Sequence, residues 1–118
     1  MDTSKAPPPF LVLAELSLLA TERGGRSHPI ESPANLVLFF DGCDWPARGE
    51  LTQARFLYPG ESAWIRLALE DVKEASERLY PGKPFLAREN GRVIAYGLIK
   101  RILGQDLAPE AEAEAEAE

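Results

Sequence analysis

The chain has 118 residues, of which 45% are hydrophobic, so it is long enough to enclose one hydrophobic core and too apolar to be a disordered polypeptide. Its formal net charge is −6, but the segment from Ala108 to Glu118 carries five glutamates and no basic residue, which leaves 14 acidic against 13 basic residues elsewhere. This balance argues against a general nucleic-acid binder, and no apolar run is long enough to cross a membrane.

Both termini differ in composition from the middle of the chain. The start carries Asp2 and a run of three prolines rather than a basic stretch followed by an apolar one, so it does not resemble a secretory signal. The alternation of Ala and Glu at the end is a low-complexity pattern. We therefore predict a flexible leader over residues 1–9, a single folded domain over residues 10–104 and a disordered acidic tail over residues 105–118.

The first half of the domain has the pattern of short strands. Apolar residues alternate with a period of two over residues 10–20, which predicts a strand, although the leucines and alanines also permit an α-helix. Residues 21–26 follow as a loop tip. Further strands are predicted at residues 35–40, 51–57 and 62–69, with turns at Asp41-Gly42 and Pro59-Gly60 and an irregular stretch from Trp45 to Gly49.

Residues 70–80 break this pattern and favour a short helix. They include good helix formers, Asp71 is a candidate N-cap, and Glu74 and Arg78 are spaced for an i,i+4 ion pair. We expect the helix to end before Pro81.

The stretch from Pro84 to Leu103 is predicted as a β-hairpin that closes the domain. Asn90-Gly91 is a strong hairpin signal, because a type I′ turn needs a positive φ angle at both central residues. The β-branched and aromatic residues after the turn favour a strand, whereas Leu98 to Arg101 is also compatible with a helix. Because no crossover helices separate the six predicted strands, we expect an all-β domain with one antiparallel sheet closed into a barrel.

Four segments of the chain, taken in order, resemble the C-terminal (third) domain of bacterial elongation factor Tu. Residues 22–30 are similar to that family's Glu-Gly-Gly-Arg-His-Thr-Pro-Phe, and Pro59-Gly60 is similar to its Met-Pro-Gly-Asp turn. Pro81-Gly82 leads to a phenylalanine as in the family, and residues 85–93 are close to its Phe-Ala-Ile-Arg-Glu-Gly-Gly-Arg-Thr. Near the end, Ala95-Tyr96-Gly97 stands where the family has Gly-Ala-Gly.

The resemblance implies a six-stranded Greek-key β-barrel without catalytic activity. In elongation factor Tu this domain packs on the nucleotide-binding domain, contacts the T stem of aminoacyl-tRNA and helps to bind the exchange factor. By that resemblance, Glu89 and Asn90 fall where the family's turn meets the T stem. The chain itself has no G-x-x-x-x-G-K-[ST] motif, so it has no phosphate loop with which to bind GTP.

Charged and polar residues at two predicted loop tips are the candidate contacts with RNA or with a protein partner. Arginine side chains reach phosphates, and a glycine in a turn allows close approach of a ligand. An ordinary solvated tip with cross-strand ion pairs is the alternative interpretation. The candidates are Arg88, Glu89, Asn90 and Arg92 at the hairpin tip, and Arg23 and Arg26 at the first tip.

Enzyme chemistry has little support in the composition. The only histidine, His28, would have to activate a nucleophile such as Ser27, Ser62 or Cys43. One histidine and one cysteine do not fill a tetrahedral metal site without carboxylates. We therefore expect no catalytic residues and no metal.

The sequence thus predicts a non-enzymatic binding module that resembles part of a translation elongation factor, with tRNA or a protein such as a translation factor as its partner. The alternative is a decoy, regulator or immunity-type protein that mimics elongation factor Tu. We expect no cofactor, no membrane and no small-molecule substrate. The single cysteine excludes an internal disulfide, and together with the start of the chain it indicates the cytoplasm.

Overall fold

The computed structural model describes residues 8–23 and 26–105. The predicted leader and acidic tail lie outside these residues, apart from residues 8, 9 and 105. The described residues form eight strands, one α-helix and a short 3₁₀ helix. The strands are β1 Phe10–Leu18, β2 Ile30–Glu31, β3 Ala34–Phe40, β4 Cys43–Leu51, β5 Phe56–Leu57, β6 Ser62–Leu69, β7 Pro84–Glu89 and β8 Arg92–Gly104; the helix α1 is Val72–Arg78 and the 3₁₀ helix is Thr21–Arg23.

Six of the strands form a closed antiparallel barrel. Its order is β1-β6-β4-β3-β7-β8, and β8 pairs back onto β1. The strands β3, β4 and β6 pair one after another, β7 returns to pair with β3, and β1 pairs with β6, which is a Greek-key arrangement. The predicted all-β, six-stranded antiparallel Greek-key barrel is therefore confirmed.

Alternation along the strands fills the barrel. In β1, the side chains of Phe10, Val12, Ala14, Leu16 and Leu18 belong to the buried cluster that inward residues of the other barrel strands complete. The strand prediction for this segment is confirmed, and the helix alternative is wrong. The backbone of β1 pairs with β6 on one side and with β8 on the other. Its N–H and C=O groups are therefore hydrogen-bonded without a helix.

Strand β4 corrects the prediction of an irregular stretch from Trp45 to Gly49. In the β3–β4 hairpin, Pro46 lies opposite Val37. Hydrogen-bonded and non-hydrogen-bonded residue pairs alternate from the turn onward, and this pair is one that exchanges no hydrogen bonds. Pairing of β4 with β6 begins only at Ala47, so the missing N–H of Pro46 leaves no ladder hydrogen bond unmade. Proline is therefore tolerated inside this strand.

The strand predicted at residues 51–57 is not continuous, because only its two ends, Leu51 in β4 and Phe56–Leu57 in β5, are in strands. Strand β4 ends at Leu51, whose N–H donates to Oγ of Ser32 at 2.9 Å, and the chain then bends. Strand β5 pairs with β2 in a two-stranded ribbon outside the barrel order. Ile30 and Leu57 of this ribbon are buried in the barrel core, so the ribbon covers one end of the barrel.

Helix α1 matches its prediction. The Asp71 side chain caps it by accepting a hydrogen bond from the backbone N–H of Glu74. Nε of Arg78 lies 2.9 Å from Oε1 of Glu74, one helical turn earlier. The helix buries Ala75 against the barrel core.

The final hairpin is confirmed as well. Asn90 and Gly91 have φ angles of 54° and 76°, the positive values that a type I′ turn needs. Strand β8 continues to Gly104, so the helix alternative for Leu98 to Arg101 is wrong. The reason lies in β1, which pairs with this part of β8 across a register shift and satisfies its backbone.

Candidate functional site

One end of the barrel gathers the predicted contact residues. Because neighbouring strands are antiparallel, the segment after β1, the β2–β5 ribbon and the β7–β8 turn all lie at the same end, called here the tip end. The β3–β4 turn and α1 lie at the opposite end. The outer faces of β3, β7 and β8 connect the two ends.

The structure brings the two predicted tips into contact. Nε of Arg26 lies 3.3 Å from Oε1 of Glu89, and Nη1 of Arg26 donates to the carbonyl oxygen of Pro29 at 3.1 Å. The guanidinium is thus bound both to its own loop and to the hairpin tip. A carboxylate beside it cancels much of the positive potential that a phosphate would sense.

Arg88 is held in a similar way. Its Nη1 donates to Oδ1 of Asp44 at 3.1 Å, and its Nη2 donates to the carbonyl oxygen of Gly91 at 3.2 Å. Its Cζ lies 5.0 Å from the ring centroid of Phe39. Arg88 therefore links β7 to β4 across the outer face of β3 and has less freedom to reach a ligand than its place near the tip predicts.

Asn90 and Arg92 are the more open residues of the hairpin tip. Both are exposed; Asn90 occupies the first turn position, and Arg92 lies opposite Glu89 in the ladder. Unlike the two arginines above, Arg92 forms no ion pair with any residue that the structure describes. The prediction for the Arg23 side chain lies outside the described part of the chain.

The β2–β5 ribbon adds groups at the tip end that the sequence did not single out. Nη2 of Arg55 lies 2.7 Å from Oε2 of Glu31, and its Cζ lies 5.7 Å from the ring centroid of Phe56. Phe56 and Tyr58 are exposed, with ring centroids 6.2 Å apart. Here too the arginine is matched by a carboxylate, because the register of β2 and β5 places Glu31 beside it.

An apolar groove lies on the outer face of β3, β7 and β8. Its volume is about 370 Å³, and Tyr96, which is 54% exposed, lies on β8 at one side of it, with β7 as the centre strand. The alternation of β8 predicts that Tyr96 and Leu98 point outward, and the hairpin places β7 beside them, but only the barrel order adds β3. The walls of this Tyr96 groove are the side chains of Phe39, Pro84, Leu86, Tyr96 and Leu98.

Gly97 makes room for the floor of the groove. Phe85 lies opposite Gly97 in the β7–β8 ladder, and a Cβ atom added at Gly97 would lie only 2.3 Å from Cζ of Phe85. The phenylalanine ring therefore lies directly against the glycine backbone, where it is buried. The Tyr96 groove consequently rests on close-packed barrel core rather than on a mobile loop.

The rim of the groove carries one ion pair. Asp44 lies opposite Phe39 in the β3–β4 ladder, and Arg88 reaches over the Phe39 ring to meet it. Of the two side chains, that of Asp44 is 54% exposed and that of Arg88 28%. The Asp44 carboxylate is therefore the more accessible of the two charges at this rim.

At the opposite end of the barrel, Asp41 joins the β3–β4 turn to α1 and to the residue before β7. Its Oδ1 accepts a hydrogen bond from Nζ of Lys83 at 2.8 Å, and its Oδ2 accepts one from Nη1 of Arg78 at 3.3 Å. The Lys83 hydrogen bond holds the pKa of Asp41 below its ordinary value; desolvation opposes this, and Arg78 adds to it. Hydrogen bonds to Glu74 and then to Asp41 raise the pKa of Arg78.

The described residues offer little for enzyme or metal chemistry. Oγ of Ser27 lies 3.0 Å from Nδ1 of His28, but the two are adjacent, exposed loop residues, and no described side chain orients the other ring nitrogen. Within the described ranges, no three or more His, Cys, Asp or Glu side chains group to hold a metal ion. No helix in this part of the chain has the length and apolarity to span a bilayer.

No protein-family model matches the chain, and no curated protein is similar to it in sequence. Function must therefore be inferred from the chemistry of the surface.

Proposed function

We propose that the protein is a non-enzymatic, protein-binding module that docks its partner through the Tyr96 groove. The observation that carries the proposal is the groove itself. The outward side chains of an antiparallel sheet are ordinarily polar, yet apolar ones from three neighbouring strands adjoin here. Apolar side chains that adjoin in this way on an outer face offer a contact surface to another molecule.

The charges of the tip end favour a protein over a nucleic acid as that molecule. Arg26, Arg55 and Arg88 each pair with a carboxylate. Binding to a phosphate backbone depends on cations that are free to replace its counterions. Outside the acidic segment the chain has 14 acidic and 13 basic residues, so no net positive field compensates for the paired arginines.

The resemblance to elongation factor Tu suggests a setting for the interaction. In that factor the corresponding barrel is a non-catalytic binding surface, so a component of the translation machinery is the first partner to test. A regulator or decoy that occupies such a component fits the same surface. We also propose a cytoplasmic location, which suits a chain with a single, exposed thiol at Cys43.

Capture of partners from a lysate treated with ribonuclease tests the proposal. The wild type is compared with a groove variant, Tyr96→Ser/Leu98→Ser, and with a tip variant, Arg26→Ala/Arg92→Ala, after circular dichroism has shown that all three are folded. We expect a protein that wild type and tip variant retain and that the groove variant loses. Retention of the same proteins by all three would count against the proposal.

RNA binding at the tip end is a second candidate, favoured by the exposed Arg92, which pairs with no carboxylate among the described residues. Fluorescence titration with tRNA at low and moderate salt tests it. A site of this kind binds more weakly as the salt rises, and Arg92→Ala reduces both the affinity and its salt dependence. If the titration detects no binding at low salt, this candidate fails and the protein-binding proposal is unaffected.

A further inference from the structure

We propose that the Tyr96 groove takes a proline-rich segment in the polyproline II conformation, with a basic residue of that segment beside Asp44. This inference rests on the proposed function and specifies the chemistry of its partner.

A partner strand has no place to pair at this groove. The strands β3, β7 and β8, which form its walls, are each hydrogen-bonded on both sides within the barrel order. Addition of a strand needs an edge with free N–H and C=O groups, and closure removes that edge. Side-chain contacts must therefore supply the recognition.

The length of the groove disfavours an α-helix. Its lining runs only from Pro84 to Leu86 in β7 and from Tyr96 to Leu98 in β8, which is about 7 Å along each strand. An amphipathic helix docks through anchors that are spread over two turns, about 10 Å. A polyproline II segment is thinner and advances about 3.1 Å per residue. It has no internal hydrogen bonds, so a few residues are enough to place proline rings in a short groove.

The walls have the chemistry that such a segment uses. Proline rings pack against aromatic side chains, here the exposed Tyr96 and the half-buried Phe39, with Leu98 and Pro84 completing an apolar trough. The carbonyl groups of a polyproline II segment remain free to accept hydrogen bonds. Tyr96, which is 54% exposed, ends in a hydroxyl that can donate to one of them.

The rim supplies charge complementarity. The Asp44 carboxylate lies beside Phe39 at the groove wall and is more exposed than its partner Arg88. A lysine or arginine next to the prolines would share this carboxylate, whereas an acidic residue there would meet repulsion. The sign of the flanking charge is therefore a specific feature of the proposed ligand.

Fluorescence anisotropy with labelled peptides tests the inference on the full chain. One probe is a run of prolines preceded by a lysine, and a second has glutamate in place of that lysine. An amphipathic helical peptide of equal length is a third. We expect the Lys-containing proline peptide to bind more tightly than the other two, and Tyr96→Ser to weaken it by about tenfold or more.

Tyr58→Ser is the matched control, because Tyr58 is 51% exposed but lies away from the groove, directly after β5. It should leave the affinity unchanged. Asp44→Asn should remove most of the preference for lysine over glutamate in the peptide while leaving a proline-dependent signal. Equal binding of the helical peptide, or equal losses with Tyr58→Ser and Tyr96→Ser, would overturn the inference.

The outcome separates the inference from the proposed function. If the proline peptides do not bind, but Tyr96→Ser/Leu98→Ser abolishes capture of a folded protein, the ligand assignment is wrong and the docking surface stands. If neither experiment depends on Tyr96, both fail.

Discussion

Nζ of Lys83 lies 2.8 Å from Oδ1 of Asp41, and this contact fastens the β3–β4 turn to the start of β7 across 42 positions of sequence. The lysine is almost fully buried, and its ammonium also lies 5.5 Å from the ring centroid of Phe40. A buried cation needs such partners, because removal from water is costly unless a carboxylate or a ring face replaces the solvent.

The first prediction concerns Asp41→Asn and pH. The pKa of Asp41 is lower in the folded protein than in the unfolded chain, so its ionisation stabilises the fold above the unfolded pKa of about 3.9. That contribution is lost as the pH falls through the folded pKa. Asparagine tolerates the positive φ angle of 53° at this position, so the backbone need not change.

Urea unfolding of wild type and Asp41→Asn across a pH series provides the measurement. We expect a lower free energy of unfolding for the variant at pH 7 and a difference that shrinks as the solution is acidified. A difference that stayed constant down to acid pH would show that the Asp41 carboxylate does not stabilise the fold through its charge.

The second prediction concerns the floor of the groove. Gly97→Ala places a methyl group against the Phe85 ring, where the two atoms would be 2.3 Å apart. Because overpacking of this kind forces the ring or the strand to move, we expect a loss of about 3 kcal/mol in the free energy of unfolding. Adding Phe85→Leu should restore part of it, so the double variant is more stable than the sum of the single losses indicates. Additive losses would refute the steric explanation.

The third prediction concerns the hairpin turn. Asn90→Ala should cost about 1–2 kcal/mol, because alanine is strained at a φ angle of 54°, whereas Asn90→Gly should be nearly neutral. Thermal and urea denaturation of the two variants gives the comparison. If alanine and glycine behave alike at this position, the positive φ angle is not what the turn requires of residue 90.

The fourth prediction concerns the contact between the two tips. The Arg26 and Glu89 side chains are 26% and 44% exposed, so a double-mutant cycle with Arg26→Ala and Glu89→Ala should give a coupling of only about 0.2–1 kcal/mol. The coupling should diminish in high salt, as expected for a partly solvated pair. A coupling above about 2 kcal/mol would indicate a far less solvated pair.

Local signals made most of the fold predictable from the sequence. The Asn90-Gly91 turn and the Asp71 cap depend on neighbouring residues alone, and both were predicted. Strand β4 was missed because Pro46 is normally a strand breaker, and only its place opposite Val37, beyond the reach of β6, makes it harmless. The register of the barrel decides this, and no single segment carries that information.

The candidate site was less accessible from the sequence. The tip arginines were visible as motifs, but their carboxylate partners come from elsewhere: Asp44 is 44 positions from Arg88. Nothing local indicates that such charges are matched. The Tyr96 groove likewise depends on the barrel, because the hairpin joins β7 to β8 locally but only the Greek-key order brings β3 beside them.

The alternation of side chains across the barrel wall separates two kinds of evolutionary constraint. Inward residues such as Ile99 hold the domain together, while outward residues such as Tyr96 and Leu98 are exposed on the barrel surface. Substitutions at exposed positions like these usually change stability by less than about 0.5 kcal/mol. Ligand preference can therefore drift quickly on a conserved scaffold, and descendants of one such barrel need not recognise the same molecule.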